Sequence, residues 1–302
     1  MRILLTGGTG LIGQALCQHW QRQGHELWVW SRDPRKVQRL CSGARSVQRL
    51  EELSAAQPFD AVVNLAGAPI ADRPWSAARR ELLWRSRVEL TRQLVDWMGQ
   101  QPTAPRVLLS ASAIGWYGDQ GDTPLTEASP PGGKDFGSTL CMAWEQEAER
   151  ASAHGVRVVR LRIAPVLAPK GGMLARLLPP FKLCLGGRLG TGQQWMPWIH
   201  VEDAARLILH ALDTQSMHGP LNLVAPQAVT NAVFTQTLAT VLHRPAFCHV
   251  PAAVLRAELP GMAEEMLLPS TRVLPRIATE SGYTFAHPQL QGALTSLWQS
   301  GT

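Results

Sequence analysis

The chain has 302 residues, 45% hydrophobic and 17% charged, the balance of an ordinary soluble globular protein with ample length for a buried core. Lys and Arg outnumber Asp and Glu by 29 to 23, a formal net charge of +6, yet the arginines are dispersed and no recognition-helix or aromatic–basic pattern accompanies them, so no nucleic-acid partner is expected. No export-signal pattern or membrane-spanning apolar run is read. The scattered Cys17, Cys41, Cys141, Cys184 and Cys248 lack C-x-x-C spacing, which implies reduced thiols in a cytoplasmic setting rather than a metal site or disulfide framework.

In chain order, the apolar run Ile3-Leu4-Leu5 predicts a strand over 2–6 that meets the loop Gly7-Gly8-Thr9-Gly10-Leu11-Ile12-Gly13 and opens into a helix over 11–23. The spacing is G-x-x-G-x-x-G, a variant of the dinucleotide fingerprint. Gly7 lets the chain turn sharply, Gly10 lets backbone approach a pyrophosphate, and Gly13 lets helix and strand pack closely. The helix N-terminus presents free N–H groups to the phosphates. A dinucleotide is therefore expected on Gly7, Thr9, Gly10, Leu11, Ile12 and Gly13.

A second strand over 26–30 ends in Ser31-Arg32-Asp33-Pro34-Arg35-Lys36. An NAD site places a carboxylate at this strand tip to hold the ribose 2′-hydroxyl. Here Ser31 and Arg32 occupy the tip and Asp33 comes one position late. A guanidinium beside a hydroxyl suits a 2′-phosphate, so NADP(H) is expected over NAD, although a solvated basic loop is the alternative reading.

Further strands are predicted over 61–65, 106–111 and 156–162, with Val47–Leu50 as an edge strand and helices over 75–100 and 138–153. The alternation implies an α/β fold, a doubly wound parallel sheet of Rossmann type with helices on both faces. From about residue 165 Pro and Gly become denser. A helix over 201–213 and a strand over 220–224 return the chain to the sheet, and the tail from 230 reads as helices with Pro-rich joints. The expected organisation is a cofactor-binding domain over 1–165, with returning segments near 198–224, and a smaller substrate lobe with a helical tail over 166–302. Trp84 and Trp97 read as packing residues, whereas Trp116, Trp195 and Trp198 fall near loops.

An ordered series of motifs spans nearly the whole chain: Thr6–Gly13, Asn64-Leu65-Ala66-Gly67, Ser110-Ala111-Ser112, Trp116-Tyr117-Gly118, Arg160-Leu161-Arg162, Trp198–Asp203 and Leu221–Val224. By these the chain resembles the extended short-chain dehydrogenases/reductases of the epimerase/dehydratase family. The Ser86–Arg87 element, the segment around Cys141 and Trp144-Glu145, and the glycine run into Gln194-Trp195 make it similar to the YfcH-type epimerase-like subgroup. The resemblance implies cofactor contacts from Asn64, Leu65, Ala66 and Gly67, for which a small-residue strand end packing a helix is the alternative. Arg87 falls where the family often carries an asparagine facing the cofactor, and it reads either as a phosphate contact or as part of a solvated arginine face. Arg162, ending a strand at the carboxyl edge of the sheet, is a further candidate contact.

Working members of the family use a Ser or Thr on the substrate oxygen, a Tyr as general acid/base, and a Lys four residues after the Tyr. That Lys lowers the Tyr pKa and holds the nicotinamide ribose. Ser112 matches the serine. In the register set by Glu145 the Tyr position is Gly137 and the Lys position Cys141, and one register earlier gives Phe136 and Leu140. Ordinary Tyr/Lys proton transfer is therefore absent, because a phenol near pKa 10 needs a nearby cation to act at neutral pH. Ser112 and Tyr117 are the catalytic candidates, with Cys141 and His200 as further substitutes. The loop 186–198 offers Gln194, Trp195, Met196 and Trp198 either to a ring-bearing substrate or as an inter-lobe hinge. The leading expectation is an NADP(H)-binding oxidoreductase acting on a small molecule; the alternative is a non-catalytic NADP-binding sensor or scaffold. The resemblance also implies a homodimer through helices 75–100 and 138–153.

Overall fold

The computed structural model describes residues 1–53, 56–169 and 171–301. The chain opens with β1 (Arg2–Thr6), α1 (Leu11–Arg22), β2 (Glu26–Trp30), α2 (Pro34–Leu40), β3 (Arg45–Val47) and β4 (Ala61–Asn64). Next, α3 (Ala77–Trp84) runs through a π-turn at Arg85–Glu89 into α4 (Leu90–Gly99). Then come β5 (Val107–Ala113), β6 (Pro124–Leu125), α5 (Phe136–Glu149), β7 (Arg157–Ile163), β8 (Val166–Leu167), α6 (Leu174–Lys182), β9 (Gly187–Leu189) and β10 (Ile199–His200). The last stretch holds α7 (Val201–Asp213), β11 (Gly219–Leu223), α8 (Asn231–Leu242), β12 (Cys248–Val250), α9 (Ala252–Glu258), β13 (Arg272–Val273), α10 (Arg276–Glu280) and α11 (Leu290–Gly301).

Every residue of β1 and β4 is buried, as the apolar centres of strands in a parallel sheet covered on both faces require. Seven strands form that sheet in the order β3-β2-β1-β4-β5-β7-β11, all parallel. Because successive side chains alternate faces, Leu5 of β1 joins Leu16, Trp20, Leu207 and Ile208 of α1 and α7, while Leu4 joins Leu94, Val95 and Met98 of α4. A third core, with Phe181, Trp198, Phe234, Leu238 and Leu294, fills the lobe beyond the sheet. The strand order reverses between β1 and β4, so the crevice at their carboxyl ends is where ligands bind in such sheets. No helix among the described residues is long and apolar enough to cross a membrane.

The architecture is the expected doubly wound α/β sheet, with three local corrections. The edge strand expected over Val47–Leu50 is Arg45–Val47, and Leu50–Glu52 turns as a short 3₁₀ helix. The segment after Arg32, for which a solvated basic loop was the alternative reading, is helix α2. Asp33 caps it by accepting from the Lys36 N–H at 3.1 Å, and Pro34 starts it with its φ already fixed. The helix expected over 138–153 begins earlier, at Phe136, where Asp135 caps it, and is α-helical to Glu149.

The C-terminal tail is clasped to the start of α7. Both Asp203 carboxylate oxygens accept tail N–H groups at 2.8 Å, from Ala286 and His287, and the Tyr283 hydroxyl donates to Oδ1 at 3.0 Å. His200 caps α7, its Nδ1 accepting from the Glu202 N–H at 3.1 Å, and its ring stacks on His287 at 3.7 Å. His200, Glu202 and His287 present ligating atoms within 4.8 Å of one another, the spacing of a metal site. A metal on His200 Nε2 would put the ring proton on Nδ1, against the Glu202 N–H, so the tautomer that caps the helix opposes metal binding there.

Burial, with His287 beside it, lowers the His200 pKa to about 4 from 6.5. The unfolded chain takes up this proton from about pH 6.5, whereas the folded chain resists until about 4, so stability is lost as pH falls through that window. The full effect is on the order of 3 kcal/mol. His200→Asn keeps a side-chain cap and removes the titration. Urea midpoints at pH 7 and pH 4.5 are expected to separate more for the wild type than for the variant; equal losses in both would assign the titration elsewhere.

Candidate functional site

The crevice is built first by glycine. Gly7 sits at φ +69, and a side chain there would meet the Leu65 carbonyl at 2.5 Å, so the loop after β1 lies directly against the loop after β4. A side chain at Gly13 would meet the Gly7 carbonyl at 2.4 Å, which lets α1 begin tight against the turn. Gly10 caps α1 without a side chain, and no acidic residue occupies the first turn. The positive end of α1 is thus left open to an anion by Thr9, Gly10, Leu11 and Ile12.

At the end of β4, Asn64 is fully buried and ties β4 to the end of β1, the middle of β5 and the start of α4. It accepts from Thr6 Oγ1 at 2.7 Å and donates to Thr91 Oγ1 at 2.8 Å and Ser110 Oγ at 3.1 Å. Asn64 therefore shapes the crevice from below, while Leu65, Ala66 and Gly67 lie partly or fully open beside it. Thr6 Oγ1 also accepts from the Ala66 N–H at 3.1 Å, fixing the course of that loop.

At the end of β2, Ser31 Oγ accepts from the Asp33 N–H at 3.2 Å while Asp33 is engaged in capping α2. Arg32 is exposed and makes no ion pair among the described residues. It stands at the rim of an open groove of about 870 Å³ shared with Leu50, Ser86, Leu90 and Trp97.

Ser112, Tyr117 and Arg162 converge beneath the carboxyl edge, all nearly or fully inaccessible. Arg162 makes a bidentate pair with Glu145 of α5, Nε to Oε1 at 2.8 Å and Nη2 to Oε2 at 3.0 Å. Ser112 Oγ donates to the same Oε1 at 2.8 Å. Arg162 Nη1 donates to the Tyr117 oxygen at 3.0 Å, and the Tyr117 hydroxyl donates to Asn222 Oδ1 of β11 at 2.7 Å. The Arg162 guanidinium lies 3.9 Å from the Trp116 ring centroid. Burial outweighs the Arg162 charge and raises the Tyr117 pKa, so this phenol stays protonated and locked in its bonds. Burial likewise raises the pKa of Glu127, whose Oε1 accepts the Asn222 and Ile277 N–H groups while Oε2 is buried with no hydrogen-bond partner among the described residues.

Along α5, Gly137 and Cys141 lie where the family pair would stand. The Cys141 thiol is buried within hydrogen-bonding reach of Ser112 and the Ala113 backbone, and burial, with Glu145 nearby, pushes its pKa up to about 11. A side chain at Gly137 would sit 3.6 Å from Oε2 of Glu265, which accepts the Gly137 N–H at 2.8 Å. Arg80 reaches the other oxygen of Glu265 at 3.4 Å. Burial, with Asp135 nearby, raises the Glu265 pKa despite the backbone amides. Arg87, from the π-turn, is buried against the β4 loop, donating to Ala68 O at 2.9 Å and Leu83 O at 3.3 Å. His200 stands apart, in the clasp on α7. In the loop 186–198, Gln194 Nε2 donates to Leu189 O and Leu267 O, and Trp195 Nε1 donates to Asp122, contacts that join the lobe to its surroundings.

Glu145, Glu127, Asn222 and Glu265 were not expected at the site. Glu145 served only as a register mark, and the others come from segments up to 128 residues away in sequence. The Thr-Glu step at 126–127 and the Asn inside an otherwise apolar strand were the available signals.

A glycine-cradled sheet edge, an anion-ready helix end and a cation at the β2 tip define a dinucleotide-fold protein of the extended short-chain dehydrogenase/reductase type. The chain belongs to the NAD dependent epimerase/dehydratase family, whose model matches residues 3–223; residues 250–297 match a domain of unknown function, DUF1731. It is 36% identical over 305 residues to the epimerase family protein YfhF of Bacillus subtilis, covering 98% of each chain. The crystal structure of the human epimerase family protein SDR39U1 (isoform 2) with NADPH superposes with a TM-score of 0.88 at 36% identity, covering 99% of both chains. A UDP-glucuronic acid 4-epimerase from Bacillus cereus shares the fold at 16% identity, with a TM-score of 0.78 over 99% of this chain and 98% of that one.

Removing one partner of the Arg162–Glu145 pair strands a buried charge. Arg162→Met is expected to cost about 3–5 kcal/mol in urea denaturation, and Arg162→Met combined with Glu145→Leu should recover most of it. A double variant no more stable than the single one would show that the wider network, rather than the stranded carboxylate, sets the loss.

Proposed function

We propose that this chain is an NADP(H)-binding oxidoreductase of its family, acting by hydride transfer on a small-molecule substrate. The β2 tip carries the reading: the nearby Asp33 carboxylate is committed to capping α2, and Arg32 is exposed and unpaired among the described residues. That arrangement puts a free cation at the tip, which suits a 2′-phosphate. The human relative solved with NADPH supports it. Gly7, Gly10, Gly13 and the α1 N-terminus would hold the pyrophosphate, with Leu65, Ala66 and Gly67 along the neighbouring loop. The similarity to YfcH-type proteins rests on the Ser86–Arg87 element and the glycine run before Gln194.

The bound cofactor supplies the hydride, and proton movement falls to the chain's own residues. The hydroxyl protons of Ser112 and Tyr117 point to Glu145 and Asn222, so we assign both residues to holding the crevice floor. Glu265 fills the space left by Gly137, and its raised pKa keeps a larger share of the carboxyl protonated near neutrality. In our reading it donates that proton to the substrate oxygen as the hydride arrives. The tied-up hydroxyls also favour a second reading, a cofactor-binding sensor without turnover. NADPH oxidation against a panel of carbonyl compounds separates the two.

Arg32→Ala should weaken NADPH binding about tenfold or more while leaving NADH binding unchanged, as read by tryptophan quenching. Equal losses for both nucleotides would remove the 2′-phosphate assignment. Glu265→Gln should lower NADPH-dependent turnover of an accepted carbonyl about a hundredfold, with NADPH affinity preserved. Unchanged turnover in that variant would exclude Glu265 as the proton donor.

A further inference from the structure

The lobe beyond the sheet carries a charge pattern that the crevice does not use. None of the chain's 23 carboxylates falls in 166–201, 214–257 or 281–302. These segments carry α6, α8 and α11, which pack together around Phe181, Phe234 and Leu294. Arg176, Lys182, Arg188 and Arg244 are exposed there and make no ion pair among the described residues. The carboxylates that border the lobe are engaged elsewhere, apart from the exposed Glu258 at the end of α9. Asp203 holds the tail, Glu202 pairs with Arg206 and His287, Glu264 pairs with Arg256, and Glu265 faces Arg80 and Gly137.

Apolar side chains stand out of the same lobe. At the end of α6 the Leu185 N–H donates to Pro180 O at 2.8 Å and the Cys184 N–H to Phe181 O at 3.0 Å. This is the closed turn in which a residue at positive φ, here Cys184 at +60, reverses the chain. The apolar residue after that position commonly folds back onto the helix. Here Leu185 is instead 61% exposed, and Leu183 is 70% exposed. β9 then pairs with β12, the Cys248 N–H donating to Gly186 O at 3.2 Å, which brings Phe247, 77% exposed, alongside the turn. Val233 and Val254, on α8 and α9, are exposed as well.

We propose that this lobe docks on the surface of an anionic lipid bilayer. Leu183, Leu185 and Phe247 enter the headgroup boundary, and Lys182, Arg188 and Arg244 meet the lipid phosphates. Such binding combines buried apolar area with attraction to anionic lipid, and each is weak alone. No helix among the described residues is long and apolar enough to span, so the contact is peripheral. The breadth of the pattern favours a bilayer over an acidic protein. A protein partner acts on the residues it touches, about 20–30 a side. A charged plane acts on every group within a screening length of about 8–10 Å, which suits three whole segments without a carboxylate. Pairing two copies of this chain through the same face would set cation against cation. The docking surface is independent of the NADP(H) reading.

The test is co-sedimentation of the full chain with vesicles of phosphatidylcholine alone and of phosphatidylcholine mixed with phosphatidylglycerol, at low and raised salt. Wild type is compared with Leu185→Ser/Phe247→Ser and with Lys182→Gln/Arg188→Gln/Arg244→Gln, all five side chains being exposed and so replaceable without unfolding. The wild type should bind the anionic vesicles about tenfold or more tighter than the neutral ones, and raised salt should weaken it. Each variant should lose about tenfold or more of the anionic binding. A wild type that leaves the anionic vesicles in the supernatant overturns the proposal without any variant. Unchanged binding of the serine variant overturns the docking surface in favour of net charge alone. A wild type that ignores both vesicles yet is retained by poly-glutamate overturns it in favour of an acidic protein partner.

Discussion

The ion pair between Arg162 and Glu145 is the contact on which the rest of the site depends. It joins the end of β7 to the middle of α5 with side chains only 3% and 2% exposed. Each charge alone would be intolerable there, so neither β7 nor α5 can slide without stranding it. Replacing such a pair by apolar residues is often close to neutral in stability, which means that its value lies in register rather than in energy. Ser112 of β5, Tyr117 and, through Tyr117, Asn222 of β11 all hang from these two residues. Three neighbouring strands and one helix thus share a single polar knot beneath the crevice.

That knot is the basis for our assignment of the family's serine and the nearby tyrosine to the crevice floor. A serine that donates to a carboxylate is not free to donate to a substrate oxygen in the same geometry. A phenol buried against an arginine and an amide is a strut. Residue identity located this corner of the fold, and the bonds made there carry the proposed role.

The sheet was legible because it depends on local pattern. The apolar run at Ile3–Leu5, the glycine spacing and the alternation of strands with helices are each read within a dozen residues. Helix α2 was legible too, since Asp33-Pro34 is a cap followed by a first-turn proline; it was missed because Asp33 was weighed as a ligand to ribose. The vacancy at Gly137 and Cys141 was visible in the chain order. What fills it was not: Glu265 meets Gly137 across 128 positions, and Arg87 lies behind a loop whose course depends on Thr6 and Asn64. Such contacts are set by tertiary packing, for which one sequence has no local signal.

The arrangement makes the C-terminal segment part of the crevice. Asp203 and His200 clasp the tail at the start of α7, Glu127 holds the Ile277 N–H, and Glu265 reaches the start of α5. These anchors lie on different elements of the sheet domain, so the tail docks as a frame around the carboxyl edge. An acid carried by that frame is in place only when the frame is docked. On the role we propose for Glu265, the geometry of proton transfer is then set by tail docking and no longer by α5 alone.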